Sequence, residues 1–503
     1  MNRHAAGLKP LRAGSARAYR DGLDLRYVSW DDEEVLRRLY FAVRDPDWAT
    51  IAPDSVEMVP LGPGAGLGWH ATFTVLGGEL RVRSEMRLGS TVLSCAVEAQ
   101  ATSEVLYNRI GWCVLLPPTL AGRPVTFGTS ARDVTEPLSR LVAPQPLGPA
   151  GPQPALGPFT EFGWAQRGCT YRLSFTGDEF ELEDQRNWTD ASFKIYSTPL
   201  AIPRPHRLQA GQTLRQTVRL HRTGGASAAS EPRGLPPVGQ PVAQHTNAPT
   251  RLSAVLSVAS DADLRALASL GVETLRIEMH PAEPDFLTQT ARRIDQARST
   301  GFAYELGIWC DSQTPWGAIR SLIDLHRPGL VLVLPADARS GALTECTGPA
   351  LAATAARELT SIPLAGGTPF NLCELQRHDL THLRALTCTF TPTVHAVDRL
   401  SVLETPEALP DIVTTLRARV PGAALALGPF QGRERRQGDP PGLRPSIAGL
   451  PEEWLSSSIA ALVASGVERL CIADVADLVR DGAPTRYGLA VNRAPSEAGQ
   501  TVP

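Results

Sequence analysis

Carboxylates and a histidine recur in the second half of the chain, in or just after short apolar segments. Glu278 lies at the end of one such segment, Glu305 lies within another, and His395 follows a third. In acid–base catalysis, a carboxylate or an imidazole takes a proton from water or gives one to a leaving group. These three side chains are therefore the predicted catalytic residues, acting on a small hydroxylated substrate.

Five further side chains near the same segment ends are predicted to bind this substrate, and they are Arg276, Trp309, Asn371, Asp398 and Glu404. An indole such as Trp309 can stack on a sugar ring, while amide, carboxylate and guanidinium groups fix hydroxyl groups in a pocket.

Two of these assignments have a structural alternative. Arg276 and Glu278 are two residues apart, so on a strand they share a face and are equally explained by a buried ion pair. Glu305 falls in mid-strand and is equally well explained as a salt-bridge partner.

The densest polar motif lies in the first half of the chain, from Glu183 to Lys194, and begins EDQRNWTD. Its plain interpretation is a charged loop with internal salt bridges, which contribute little to stability. The alternative is a functional site or an inter-domain latch, with Arg186, Asn187 and Trp188 as substrate-binding residues.

Strand and helix patterns alternate after residue 250. Eight short apolar segments, beginning near Leu252 and ending near Ile472, are separated by seven amphipathic helix patterns. This count predicts a (β/α)8 TIM-barrel-like domain, in which the carboxyl ends of the strands meet at one rim. An open doubly wound sheet is the alternative, but no glycine-rich phosphate-binding pattern follows the first strand.

The first half shows period-two patterns instead, which predict a β-sandwich-like domain. Hairpins are predicted at Trp69–Met86 and Tyr171–Glu183. The predicted organisation is a β-sandwich-like domain at 1–222, a Pro/Gly-rich linker at 223–250, a barrel at 251–480 and a tail at 481–503.

Composition excludes several functional classes. The formal net charge of −3 argues against a nucleic-acid partner. No segment is long and apolar enough for a membrane span, so no membrane partner is expected. The eight cysteines form no CxxC pair, and no metal or cofactor is predicted. All but two of the 49 basic residues are arginine, which indicates a GC-rich genome; a cytoplasmic bacterial protein is expected.

The polar motif, continued to Pro203 as EDQRNWTDASFKIYSTPLAIP, resembles the most recognisable segment of the D-apionate lactonase family. Further stretches are similar to the same family, and they are YFAVRDPDWATIAP, YNRIGWCVLLP, GGTPFN and TPTVHAVDRLSVLET. The resemblance implies a β domain followed by a TIM-barrel-like domain.

The same resemblance implies a carboxylic-ester hydrolase that opens an aldonolactone ring in carbohydrate catabolism, without a cofactor. For this reaction Glu278 and Glu305 are the predicted base and acid, and His395 and Arg276 are predicted donors that polarise the ester. The chain departs from the family where FGTSARDV and APQPLGP lack the expected histidines, and the family's small C-terminal domain is not expected here. A glycoside hydrolase and a non-catalytic carbohydrate-binding paralogue therefore remain alternatives. The oligomeric state and the particular sugar are not predicted.

Overall fold

The computed structural model describes residues 3–498 except positions 63, 130–131, 149–150, 225–248, 341–343, 436–438 and 440–443. Two compact units are present. The sandwich unit comprises Met1–Gln185 and Ser192–Gln240, and the barrel unit comprises Arg186–Ala191 and Pro241–Pro503. Most of the linker predicted at 223–250 lies outside the described residues.

Antiparallel strands build the sandwich unit, and alternate residues along them are buried as their period-two patterns require. The strands are β1 Lys9–Ala13, β2 Ala16–Asp21, β3 Asp24–Trp30, β4 Glu33–Arg44, β5 Ser55–Val59, β6 Ala65–Val75, β7 Gly78–Leu88, β8 Val92–Ala101, β9 Val105–Tyr107, β10 Arg109–Leu116, β11 Pro124–Thr129, β12 Arg132–Pro137, β13 Leu147–Gly148, β14 Gly151–Pro152, β15 Leu156–Phe159, β16 Glu161–Gln166, β17 Cys169–Thr176, β18 Phe180–Asp184, β19 Phe193–Tyr196, β20 His206–Leu208 and β21 Thr213–Thr223.

Two large sheets enclose the core of this unit. One has the strand order β1-β2-β3-β4-β10-β19-β18-β15, and the other has the order β12-β11-β16-β17-β21-β8-β7-β6-β5. Aromatic side chains from both sheets meet between them: the buried Trp30 contacts Tyr171, and the partly buried Phe41 contacts Trp69. The large N-terminal domain is therefore a sandwich, as the strand patterns predict.

One predicted hairpin is present and the other is wrong. Strands β6 and β7 pair from Val75–Gly78 outward. Strands β17 and β18, however, lie in different sheets. Phe175 and Phe180 stack at 4.2 Å between ring centroids in the core, so the turn between these strands carries the chain from one sheet to the other.

Eight parallel strands close the barrel in chain order. They are β22 Arg251–Val255, β23 Thr274–Met279, β24 Ala303–Cys310, β25 Val331–Pro335, β26 Leu364–Gly367, β27 Ala385–Thr387, β28 Ala424–Leu427 and β29 Arg469–Asp474. The last strand pairs with the first, Leu252 opposite Leu470, which excludes the open sheet.

Helices connect the barrel strands. They are α1 Asp261–Ala268, α2 Phe286–Ser299, α3 Trp316–His326, α4 Pro349–Glu358, α5 Leu372–Gln376, α6 Arg399–Glu404, α7 Leu409–Arg419, α8 Glu452–Ala464, α9 Val475–Leu478 and α10 Arg486–Ala498. A two-stranded ribbon, β30 Val479–Arg480 with β31 Ala483–Pro484, precedes α10. Over the described residues, no helix combines the length and the apolar character needed to cross a membrane.

The segment predicted as a tail at 481–503 instead contains helix α10. Tyr487, Ala490, Val491 and Ala494 are buried on one face, and their spacing is that of an amphipathic helix. The Tyr487 hydroxyl donates to the carbonyl of Leu450 at 2.9 Å, which holds the helix against the segment that leads into α8.

Candidate functional site

The polar motif contributes six residues, Arg186–Ala191, to the barrel unit. The fully buried Arg186 donates to Asp411 at 2.8 Å, and the hydroxyl of Thr189 donates to the carbonyl of Thr391 at 3.0 Å. The buried Asn187 accepts from the amide of Gln376 at 2.9 Å. These bonds fix the segment at the carboxyl ends of the barrel strands.

A histidine–carboxylate pair forms where this segment meets the loop after β27. His395 Nδ1 lies 2.7 Å from Asp190 Oδ2, and Trp188 lies edge-on to the imidazole with 5.1 Å between ring centroids. A carboxylate on one ring nitrogen orients the imidazole and fixes which nitrogen faces the substrate. The arrangement is suited to taking a proton from a bound water molecule.

Asn371 and Glu434 form a second pair from the loops after β26 and β28. Asn371 donates to Glu434 Oε1 at 3.1 Å, and its own amide oxygen accepts from the backbone of Thr391 at 3.0 Å. Asn371 stands at the N-cap position of α5 without capping it, so its side chain is free of the usual structural duty. The chain reaches it through Gly367, at φ 151°, where an added Cβ would collide with the carbonyl oxygen of Thr387.

The Glu434 carboxyl is poised to exchange protons near neutral pH. Burial raises its pKa from the ordinary value of 4.5 to about 7, and the negative charges of Glu374 and Asp190 act in the same direction. The bond from Asn371 opposes them. A carboxyl group with a pKa near the working pH can serve as a general acid.

Removing this carboxyl is expected to change how stability depends on pH. Because the folded pKa of Glu434 is raised, the folded protein holds a proton that the unfolded chain releases between pH 4.5 and about 7. Stability from this group is present at acid pH and is lost as the pH rises, by at most about 3 kcal/mol. Between pH 5 and pH 8, the free energy of unfolding measured by urea denaturation should fall less for Glu434→Gln than for the unchanged chain. Equal losses would contradict the raised pKa.

Glu278 is held by cations and by an indole. Arg444 donates to Glu278 Oε1 at 2.6 Å, and Trp309 donates to Oε2 at 2.6 Å. Burial raises the pKa of Glu278, but the charges of Arg444 and Arg276 and the two hydrogen bonds outweigh burial and hold it below 4.5. The carboxylate is thus ionised at neutral pH and acts as an anchor for Arg444.

Trp309 is buried, and protein side chains surround its ring. His280 stacks on it with 5.8 Å between centroids, and the guanidinium carbons of Arg435 and Arg444 lie 4.8 Å and 5.2 Å from its centroid. The ring face that sugar stacking requires is therefore occupied in this conformation.

Glu305 forms an ion pair inside the barrel. Arg276 Nε donates to Glu305 Oε1 at 2.7 Å, and Ser253 donates to the same oxygen at 3.2 Å. Arg469 lies 3.7 Å from the other oxygen, and Arg276 also donates to the carbonyl of Gly428 at 3.0 Å. Arg276 thus bonds to Glu305 rather than to Glu278. Glu305 is a salt-bridge partner, which was the structural alternative for a carboxylate in mid-strand.

Asp398 and Glu404 lie at the two ends of α6. Asp398 is the N-cap and accepts from the backbone of Ser401 at 3.0 Å, while Glu404 is buried in the last turn. Asp398 therefore has a structural role as the N-cap of α6.

Replacing Asp398 by alanine is expected to lower the free energy of unfolding by about 1 kcal/mol, because the first turn of α6 loses its capping acceptor. Urea denaturation measures this. Asp324, exposed within α3, gives a matched control in Asp324→Ala, expected to change stability by less than about 0.5 kcal/mol. A loss no larger than the control's would remove the capping role.

Three of the residues predicted from the sequence therefore come together: His395, Asn371 and Trp188. The sequence interpretation missed their partners Asp190 and Glu434. Asp190 stands inside the polar motif that the sequence analysis singled out, and Glu434 follows β28 of the barrel, so the rule about strand ends reaches Glu434 alone. Arg433 itself pairs with Asp439 at 2.8 Å. Within the described part of the chain, no three His, Cys, Asp or Glu side chains are grouped to hold a metal ion.

Both halves of the chain match descriptions of one protein family. The description "D-apionate lactonase, N-terminal domain" matches residues 2–225, and "D-apionate lactonase, TIM barrel domain" matches residues 253–441. A D-apionate lactonase from Brucella anthropi is 28% identical over 447 residues, which cover 81% of this chain and 70% of the relative.

Solved structures are similar only distantly. A putative aldose 1-epimerase from Escherichia coli K12 is 12% identical, with a TM-score of 0.30, over 43% of this chain and 99% of its own. The galactosidase domain of an alpha-galactosidase–sucrose kinase is 10% identical, with a TM-score of 0.29, over 98% and 84%. Likeness at this level supports no conclusion about function.

Proposed function

Because the chain belongs to the D-apionate lactonase family, we propose that it hydrolyses the ring ester of an aldonolactone to the open acid. The observation that carries this proposal is the 2.7 Å contact between His395 and Asp190, formed beside Asn371 and Glu434 at the barrel rim. A lactone of D-apionate is the first substrate to test.

Hydrolysis requires a base for water, and His395 takes that role. With Nδ1 held by Asp190, the imidazole accepts the proton of the attacking water through Nε2. The water oxygen bonds to the ester carbon, and the carbonyl oxygen becomes an oxyanion. Asp190 stabilises the resulting imidazolium through the same hydrogen bond.

The leaving group requires an acid, and Glu434 takes that role. When the tetrahedral intermediate collapses, the bond between the carbonyl carbon and the ring oxygen breaks, and protonated Glu434 gives its proton to the ring oxygen. The proton then held by His395 returns to Glu434 through solvent, which restores the starting state. Asn371 holds the Glu434 carboxyl by its 3.1 Å bond.

The acid–base roles predicted for Glu278 and Glu305 from the sequence are not part of this mechanism. Arginines bind both carboxylates, Arg444 at 2.6 Å and Arg276 at 2.7 Å, so these groups are better suited to positioning cations than to exchanging protons.

The experiment is a substrate panel with the purified full chain. Acid release from aldonolactones, including that of D-apionate, is followed in a pH-stat and corrected for spontaneous hydrolysis. Lactone turnover well above the uncatalysed rate is the expected result. Turnover of p-nitrophenyl glycosides alone would replace the proposal by a glycoside hydrolase, and binding without turnover of any ligand would replace it by a carbohydrate-binding protein.

A further inference from the structure

An exposed tryptophan stands in the sandwich unit in a backbone conformation that large side chains rarely adopt. Trp48 has φ of +73° and is 37% exposed. Two hydrogen bonds hold it there: its N–H donates to the carbonyl of Asp45 at 3.1 Å, and its carbonyl accepts from Arg44 at 3.0 Å. Strain of this kind persists where the surrounding structure fixes it, commonly at ligand-binding sites.

Arg109, at the start of β10, lies beneath this indole. Its guanidinium carbon is 5.2 Å from the Trp48 ring centroid and 5.6 Å from that of Tyr196. Arg109 is 4% exposed, and one nitrogen donates to the carbonyl of Asn108 at 2.9 Å. The other two nitrogens, Nε and Nη2, are buried and have no hydrogen-bond partner among the described residues. Buried donors of this kind are rare in folded proteins and call for an explanation.

Arg204 approaches the same indole, with its guanidinium carbon 4.9 Å from the Trp48 centroid, and its side chain is exposed. Neither Arg204 nor Arg109 forms an ion pair with a described residue. The charges of Glu181 and Glu183 act on Arg109, but these carboxylates bond to other groups: Glu181 accepts from the backbone of Leu200 at 2.7 Å, and Glu183 pairs with Lys194 at 2.6 Å. Two guanidinium groups therefore share one indole without a direct anionic partner.

Neighbouring polar atoms are also unpaired. Within the part of the chain that the structure describes, three buried atoms have no hydrogen-bond partner: the hydroxyl of Tyr196, the amide oxygen of Asn108 and Nε2 of His206. His206 lies 5.3 Å from Tyr107, ring centroid to centroid, on the strand pair β9–β20. This part of the sandwich thus offers a donor, an acceptor and a ring nitrogen close to the two cations.

We propose that Trp48, Arg109 and Arg204 form a binding site for a hydroxylated carboxylate of the sugar-acid class. Guanidinium groups recognise a carboxylate through paired hydrogen bonds. An exposed indole binds the C–H face of a polyol chain, and the unpaired polar atoms bind hydroxyl groups. Arg204 can swing off the indole to admit the ligand, because it is exposed. The proposal concerns the sandwich unit alone and does not depend on hydrolysis at the barrel rim.

The test is titration calorimetry of the full chain with sodium gluconate, beside glucose, acetate and inorganic phosphate at equal ionic strength. Saturable gluconate binding is expected, at least about tenfold tighter than binding of glucose or acetate, since each of these lacks one half of the recognised group. Phosphate that binds as tightly as gluconate would overturn the sugar-acid assignment, as would equal binding of glucose.

Variants then locate the site. Trp48→Ala and Arg204→Ala change exposed side chains and should each weaken gluconate binding by about tenfold, with the melting temperature little changed. Arg207→Ala, which removes a nearby exposed arginine paired with Glu104, is the matched control and should leave binding intact. Gluconate binding that survives both site variants occurs elsewhere on the chain and would overturn the proposal, whether or not the chain hydrolyses lactones.

Discussion

Replacing His395 by alanine is expected to lower kcat for lactone hydrolysis by about 10²–10⁴-fold, the usual contribution of a positioned general base. KM should change far less, because the imidazole acts on water rather than on the bound ring. Steady-state kinetics with the best lactone of the panel measure both constants. His221→Ala is the matched control, since His221 is exposed on β21 of the sandwich unit, and its kcat should equal that of the unchanged chain.

Asp190 provides the companion test, because it reaches the reaction only through the imidazole. Asp190→Asn keeps the shape of the 2.7 Å contact and removes the charge. We expect kcat to fall at least about tenfold while KM changes far less, because the amide no longer offers the carboxylate that orients the imidazole and stabilises the imidazolium formed during the reaction. A fall in kcat that is matched by a loss of folded protein would assign Asp190 to folding alone, and wild-type rates in both variants would remove His395 from the mechanism.

The fold was largely predictable from the sequence because its evidence is local. The first and last predicted apolar segments, near Leu252 and Ile472, coincide with β22 and β29. The periodicity of apolar residues shows which face of a strand or helix is buried. In the barrel, strand and helix patterns also alternate along the chain, which makes each strand easier to recognise. The failure at β17 and β18 has the same origin: two alternating segments and a turn look alike whether the strands pair or cross between sheets.

The site was only partly predictable because its contacts are long-range. Position at a strand end identified His395 and Asn371, but Asp190 lies 205 residues from His395 and Glu434 lies 63 from Asn371. Glu434 also stands in an arginine- and glycine-rich segment without periodicity, where no single residue is distinguished. Packing decides the partner of each carboxylate. Glu305 meets an arginine and Glu434 meets an amide, and the sequence does not distinguish these two outcomes.

Truncating Arg276 is expected to produce the largest loss of stability among the changes considered. Arg276 and Glu305 are each 1% exposed, and their 2.7 Å ion pair lies within the barrel between β23 and β24. Removing Arg276 leaves Glu305 with Arg469, 3.7 Å away, in place of its 2.7 Å partner, and removing Glu305 leaves the buried Arg276 without the carboxylate it bonds to. Loss of one partner of a buried ion pair costs about 3–5 kcal/mol. Arg276→Ala and Glu305→Ala should therefore each lower the free energy of unfolding by roughly this amount, measured by urea denaturation of the full chain.

The double variant separates a charge effect from lost packing. When Arg276 and Glu305 are both replaced by apolar residues of similar size, as in Arg276→Met with Glu305→Leu, neither member of the pair is left as an unpaired buried charge. Arg469 loses its 3.7 Å contact with Glu305 but is partly exposed to water, so most of the stability should return. Arg207→Ala, which breaks the exposed pair with Glu104, serves as a control and should cost less than about 1 kcal/mol. Equal, additive losses in the single and double variants would show that packing of the two side chains, rather than their opposite charges, stabilises this part of the barrel.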